Sequence, residues 1–256
     1  MSSTTPPRGN PALLAAIRRA AEEAGGRLTF RDYMELALYH PVQGYYSSPR
    51  AKTGKRGDYL TSPELTPLFG QCVERFLTER GIRRVLEIGA GSGGLAAVLT
   101  SRFDYTILER SPAFKAEQRE RFGGSVQWVE DVPDAWDGAI LSNELLDALP
   151  VHRLRGGGEL YVRPDLSEEL GAYSTARINA YFDALGVRPR GDAEVNLDAL
   201  DIMRTVYERL GSGLVLTIDY GYEAYDLFEG HPQGTFVTYG GHVAGSDPYE
   251  SVGHID

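Results

Sequence analysis

A single cysteine, three lysines and no long apolar run are the scarcities that first bound what this chain of 256 residues can be. One thiol, Cys72, rules out an intrachain disulfide and a cysteine-cluster metal site. It falls in the apolar pattern Leu68, Phe69, Val73, Phe76 and Leu77, which predicts a buried core thiol rather than a nucleophile. The histidines His40, His152, His231, His242 and His254 are scattered without an i, i+4 pair, so no metal site is expected. No apolar stretch approaches the roughly 20 residues that span a bilayer, and membrane insertion is not expected. Met1 to Pro11 is rich in Ser, Thr and Pro and lacks a basic-then-apolar leader, so residues 1–11 are expected to be disordered and the protein cytoplasmic. Cations are also in deficit, 26 Lys and Arg against 36 Asp and Glu, and the net charge of −10 disfavours binding to nucleic acid.

What is present, 42% hydrophobic and 24% charged residues, suits one large globular domain with room for a small appended one. Its organising stretch is Val85-Leu86-Glu87-Ile88-Gly89-Ala90-Gly91-Ser92-Gly93-Gly94, an apolar strand running into a glycine-rich turn and then into Leu95-Ala96-Ala97-Val98-Leu99. Such a strand, turn and helix start leaves main-chain N–H groups open to a ligand, with glycine wherever a Cβ would forbid the backbone. Gly89, Gly91 and Gly94 also satisfy G-x-G-x-x-G, and Glu109 stands where a ribose-binding acid is expected, so spacing alone leaves NAD open. Glu87 tilts the choice: a carboxylate buried at the strand end suits a cationic adenosyl ligand.

Helices are expected from Ala12 to Ala24, ended by Gly25-Gly26, from about Thr29 to Tyr39, stopped by Pro41, and through Phe69, Val73, Phe76 and Leu77, opened by the capping box Thr61–Glu64. Tyr105–Glu109, Val126–Val129 and Gly138–Ser142 read as further strands, with a helix from Ser111-Pro112 to Phe122. Val151–Val162 reads as a hairpin around Gly156-Gly157-Gly158, Leu166–Leu185 has partly helical spacing, and Asp192–Leu197 is extended. A helix over Leu200–Leu210 and a buried strand over Leu214–Gly221 follow. Alternation of strand and helix implies an open α/β sheet, whose ligand crevice lies beyond the carboxyl ends of the strands. Asn143 and Glu144 are thereby placed for chemistry, although Asn143 capping a short helix, with Glu144 and Asp147 near its positive end, accounts for the same residues.

Tyr33-Met34, Ala37-Leu38, Pro41, Gly44-Tyr45-Tyr46, Gly57-Asp58-Tyr59, Thr61-Ser62-Pro63-Glu64 and Phe69-Gly70, with Asn143–Val151 and Leu216–Gly221 further on, resemble the signature of the MidA-like family. That family includes the mitochondrial complex I assembly factor methyltransferase. The resemblance implies a Rossmann-like class I methyltransferase sheet with helices on both faces, an N-terminal helical lid region over residues 12–80, and a cofactor domain over 81–256 with an insertion at about 151–197. It implies S-adenosyl-L-methionine as cofactor and S-adenosyl-L-homocysteine as product. The expected cofactor contacts are Glu87, Gly89, Ala90, Gly91 and Gly93 around the turn, Glu109 and Arg110 after the second strand, Asp131 and Val132 after the third, and Asn143. The resemblance adds Ser62, Pro63 and Glu64.

The resemblance further implies a protein arginine as methyl acceptor, on a respiratory complex I subunit, with Glu144, then Asp147, gripping the guanidinium and Asn143 orienting it. Small-molecule methylation, a cofactor-binding assembly factor without turnover, and a dehydrogenase are the rival readings. Compared with the family pattern, the sequence stops early at Asp256, and the strands that complete the sheet edge and the cleft are expected to be missing.

Overall fold

The computed structural model describes residues 10–47, 63, 66–240, 243–249 and 252. Its elements in chain order are α1 (Pro11–Glu23), β1 (Leu28–Thr29), α2 (Phe30–Tyr39), α3 (Pro67–Glu79), β2 (Arg84–Ile88), α4 (Ala96–Leu99), β3 (Asp104–Leu108), α5 (Pro112–Phe122) and β4 (Val126–Val129). There follow β5 (Trp136–Asn143), β6 (His152–Arg155), β7 (Gly158–Val162), β8 (Glu168–Gly171), α6 (Arg177–Leu185), β9 (Ala193–Val195) and α7 (Leu197–Arg209). Last come β10 (Leu210–Ile218), α8 (Ala224–Gly230), β11 (Thr238–Gly240) and β12 (Val243–Gly245).

Packing divides the chain into two compact units, one of residues 1–45, 148–200 and 220–256, the other of residues 46–147 and 201–219. The span 12–80 is shared between them, α1 and α2 in the first and α3 in the second. In the first unit Asn10 caps α1 by accepting the Ala12 N–H at 3.0 Å, with Pro11 as its first residue, and Thr29 caps α2 by accepting the Asp32 N–H at 3.0 Å. Leu13, Ile17, Phe30, Tyr33, Met34 and Leu38 are buried along these two helices. The sheet of this unit is antiparallel, in the order β1-β7-β6-β9 with β8 also on β7. Its β6–β7 hairpin turns on Gly156 and Gly157, at φ +57° and +83°, the left-handed pair that a two-residue loop requires. Part of the stretch expected to have helical spacing, 168–171, is instead strand β8, because pairing with β7 outweighs its weak periodicity.

The second unit is a five-stranded, wholly parallel sheet in the order β10-β5-β2-β3-β4. Successive side chains alternate between its faces. Val85, Tyr105, Ile107, Ala139 and Leu141 pack with Val73 and Leu77 of α3 and with Leu95, Ala96 and Leu99. Leu86, Ile88 and Ile140 face the opposite side with Val206 and Ile202 of α7. The helix α3 begins at Pro67, where Thr66 accepts the Leu68 N–H at 3.2 Å; the capping box at Thr61 lies outside the described residues. Cys72 corrects the expectation of a core thiol, because it is exposed: Gly70, Val73 and Leu77 set the buried face of α3, and Cys72 is rotated about 100° from Val73.

Strands β5 and β10 approach so closely at Gly138 and Gly213, which are paired in register, that a Cβ on Gly213 would stand 2.0 Å from the Gly138 carbonyl oxygen. Gly213 also holds φ +131°. Gly213→Ala is therefore expected to destabilise the protein by about 3 kcal/mol or more, through backbone overlap that no rotamer relieves. Chemical denaturation of the two proteins measures this, and equal midpoints would contradict the close pairing.

Candidate active site

Strand order reverses at β2: the chain proceeds to β3 and β4 on one side, then returns to β5 and β10 on the other. A parallel sheet opens its ligand crevice at such a reversal, beyond the carboxyl ends. The expected residues around the turn, after β3 and after β4, and both Asn143 and Glu144, lie at those ends. Past β2 the turn holds Gly89, Gly91 and Gly93 at φ +73°, +56° and +79°, whereas Gly94 is not among the left-handed glycines. The three glycines of the E-x-G-x-G-x-G pattern thus all hold left-handed backbone. A Cβ on Gly89 would stand 2.7 Å from Leu145 and one on Gly93 2.5 Å from the Phe122 ring, while one on Gly91 meets nothing within 4 Å. The centre of the turn, beside Ala90, is open. The helix that follows, α4, is only four residues long and offers no long helix dipole to a ligand, and the N–H groups of Gly89, Gly91 and Gly93 donate to Leu108, Glu109 and Ala90.

Glu87 is 2% exposed and accepts a 2.7 Å hydrogen bond from the Tyr105 hydroxyl. Burial pushes its carboxyl up to about 7, against the Tyr105 hydrogen bond and with help from the nearby Glu109 charge. Burial and Glu87 together hold the Tyr105 hydroxyl well above its ordinary range. Tyr105→Phe removes this donor and raises the Glu87 carboxyl further. At neutral pH it is expected to weaken binding of S-adenosyl-homocysteine about tenfold, a loss that shrinks as pH rises and Glu87 ionises without help. Titration calorimetry at pH 7 and pH 9 checks this, and equal affinities for the two proteins at both would remove Tyr105 from the site.

Glu109 is buried, and its carboxylate accepts the N–H of Gly91 at 3.0 Å and of Ser111 at 2.8 Å. Burial raises its carboxyl while these bonds oppose the rise. It ties the glycine turn to the start of α5, where Ser111 caps by accepting the Phe114 N–H at 3.1 Å. Arg110 is exposed. Asp131 is exposed too and pairs with Arg209 at 2.7 Å, which, with the Val132 N–H, holds its carboxyl below the usual range. Arg209 also donates to the Val132 carbonyl.

At the end of β5 the Glu144 N–H donates to the Ile218 carbonyl at 2.8 Å and fixes Glu144 at φ +48°. That conformation costs a non-glycine residue on the order of 1 kcal/mol, and such strain concentrates at working sites. The Asn143 side-chain amide donates to Glu144 at 3.2 Å, whereas its Oδ1 is buried without a partner. Beyond Asn143 residues 144–149 make bends and turns, not a helix, so the capping alternative is not realised. Asp147 is half-buried in this segment, and Asp219, just past β10, accepts the Leu146 N–H at 2.9 Å. Ser62 and Glu64 lie outside the described residues; Pro63 is half-buried. Sequence reasoning missed Arg209 and Gln118, whose buried amide bridges Gly91 and Trp128, and it cited Asp219 only within a family motif. Among the described residues no cluster of three His, Cys, Asp or Glu could hold a metal, and no helix is long and apolar enough to cross a membrane.

The sequence profile of a family of S-adenosyl-L-methionine-dependent methyltransferases matches residues 70–256. A crystal structure from Burkholderia thailandensis with S-adenosyl-homocysteine bound is 31% identical, with a TM-score of 0.85 over 98% of this chain and 75% of that one. A native crystal structure from the same organism is 30% identical, with a TM-score of 0.81 over 98% and 74%. Among curated proteins, the protein arginine methyltransferase NDUFAF7 homolog, mitochondrial, of Drosophila melanogaster is 27% identical over 86% of this chain and 63% of its own length. The Homo sapiens protein arginine methyltransferase NDUFAF7, mitochondrial, is 26% identical over 80% and 59%. The chain thus spans about three fifths of the length of these curated relatives. Their mitochondrial names overturn the expectation of a cytoplasmic protein.

Proposed function

This chain belongs to the family of S-adenosyl-L-methionine-dependent methyltransferases, and from that premise we propose that it methylates a nitrogen of a protein arginine side chain. The observation that carries the reading is the buried Glu87 carboxylate at the mouth of a turn whose centre is open at Gly91. An anion is stable there once a cation neutralises it, and S-adenosyl-L-methionine carries both a sulfonium and an ammonium. The orphaned Asn143 Oδ1 is a second group in want of a ligand at the same strand ends.

Bound there, the cofactor supplies a methyl group already activated by positive sulfur. The protein's share is positioning and charge placement, effects worth about 7–11 kcal/mol when well oriented. Glu87 and the turn from Gly89 to Gly93 hold the charged end, Glu109 and Arg110 the ribose side, and Asp131 with Val132 the adenine; the MidA-like resemblance adds Ser62, Pro63 and Glu64. A guanidinium is protonated and delocalised, so it is a poor nucleophile. Glu144 grips it as a carboxylate fork and biases its charge toward the nitrogens that do not react, with Asp147 in support and Asn143 fixing the orientation. The names of the curated relatives support arginine as acceptor, and the MidA-like resemblance supports a respiratory complex I subunit as partner.

Incubation with methyl-labelled cofactor and purified complex I subunits, followed by mass spectrometry, tests the acceptor. Label on arginine is expected. Label confined to the small-molecule fraction would contradict it, as would binding without any product.

A further inference from the structure

Helix α5 is polar on nearly every side, yet Gln118 in its middle is fully buried, with 0% exposure. A glutamine removed from water needs partners for all its polar atoms. Its Nε2 donates to the Gly91 carbonyl at 2.7 Å and reaches the Glu109 carboxylate at 3.4 Å, and its Oε1 accepts the Trp128 indole N–H at 3.0 Å. Indole N–H is a donor only, and carbonyl and carboxylate are acceptors only. The amide therefore has one workable orientation, because a flip would set donor against donor and oxygen against oxygen.

Gly91 is held from both directions: its N–H by Glu109 and its carbonyl by Gln118. We propose that Gln118, oriented by Trp128, is a positioning residue for the ribose of the cofactor, acting by fixing the Glu109 carboxylate and the Gly91 peptide as one rigid unit. This rests on the reading that Glu109 meets the ribose hydroxyls. Satisfaction of a buried side chain by three partners, the turn, the acid and a strand residue, is more than core packing requires. An apolar residue would fill the same volume without the cost of burying an amide.

The test pairs a change in the protein with a change in the ligand. S-adenosyl-homocysteine and its 2′,3′-dideoxy analogue are titrated by calorimetry into the unchanged chain, into Gln118→Leu and into Trp128→Phe. The unchanged chain is expected to prefer the hydroxylated ligand about tenfold or more. Gln118→Leu should weaken that ligand about tenfold while leaving the dideoxy analogue within about twofold, so the preference collapses. Trp128→Phe frees the amide to turn without emptying the site, and it should show a smaller loss with the same pattern. It keeps the test decisive where Gln118→Leu does not fold.

Equal loss for both ligands would reduce Gln118 to a packing role and overturn the proposal while leaving the cofactor reading intact. No hydroxyl preference in the unchanged chain would overturn the proposal through Glu109. No binding of either ligand to the unchanged chain would overturn the cofactor reading itself, and the proposal with it.

Discussion

Glu144→Gln is expected to lower kcat for methyl transfer at least about 100-fold, with cofactor affinity kept within about threefold. The substitution keeps the shape of the side chain and removes the charge that the guanidinium needs. Its backbone anchor is untouched, because the Glu144 N–H donates to Ile218 at 2.8 Å whatever the side chain carries. The φ of +48° at this position fixes where the side chain leaves the main chain, and glutamine inherits that geometry with its strain. Turnover assays and calorimetry on the same preparation separate the outcomes. Unchanged turnover would remove Glu144 from the chemistry; joint loss of turnover and binding would make it a structural residue.

Glu87→Gln is expected to do two opposite things. In the ligand-free protein the Glu87 carboxyl is raised by burial from an ordinary 4.5 to about 7, so the folded state binds a proton more tightly than the unfolded chain does. The stability this contributes is fully present below about pH 4.5 and is lost as pH rises through about 7, a swing of about 3 kcal/mol. Glutamine cannot ionise, so the variant should lack that downward slope and should exceed the parent in stability at pH 8. Its affinity for S-adenosyl-L-methionine should meanwhile fall about 30-fold, because the cation loses its buried counter-charge. Denaturant melts from pH 5 to pH 8 check the first effect and calorimetry the second. A parent protein equally stable across that range would show that Glu87 is not held neutral by its surroundings.

Much of the sheet was legible because parallel strands are apolar runs with obvious ends, as in the buried Val85–Ile88; Leu214–Ile218 is also a strand, but not the buried one expected, since β10 stands at the edge of the described sheet with Val215 exposed. The glycine turn was legible for a similar reason: residues 89, 91 and 93 hold left-handed angles that glycine adopts without strain, and at 89 and 93 a Cβ would also overlap a neighbour. The helix start at Ser111-Pro112 and the Gly156-Gly157 hairpin were read from local chemistry that tertiary contacts did not disturb. Cys72 failed because the rotation of α3 is set by what it packs against, not by the number of apolar neighbours in sequence. Gln118 and Arg209 were invisible for another reason. Each lies in a helix dense with charge, and its role comes from partners 27 and 77 residues away at Gly91 and Val132. The same holds for Asp219, whose contact with Leu146 joins strand ends 73 residues apart.

Calorimetric titration of the full chain with S-adenosyl-L-methionine, and separately with NAD, tests most directly whether the Glu87 turn is built for an adenosyl cation. The account predicts saturable binding of the first, weakened about 30-fold in Glu87→Gln, and no heat from the second. Binding of NAD, or binding of S-adenosyl-L-methionine that is indifferent to Glu87, would contradict it.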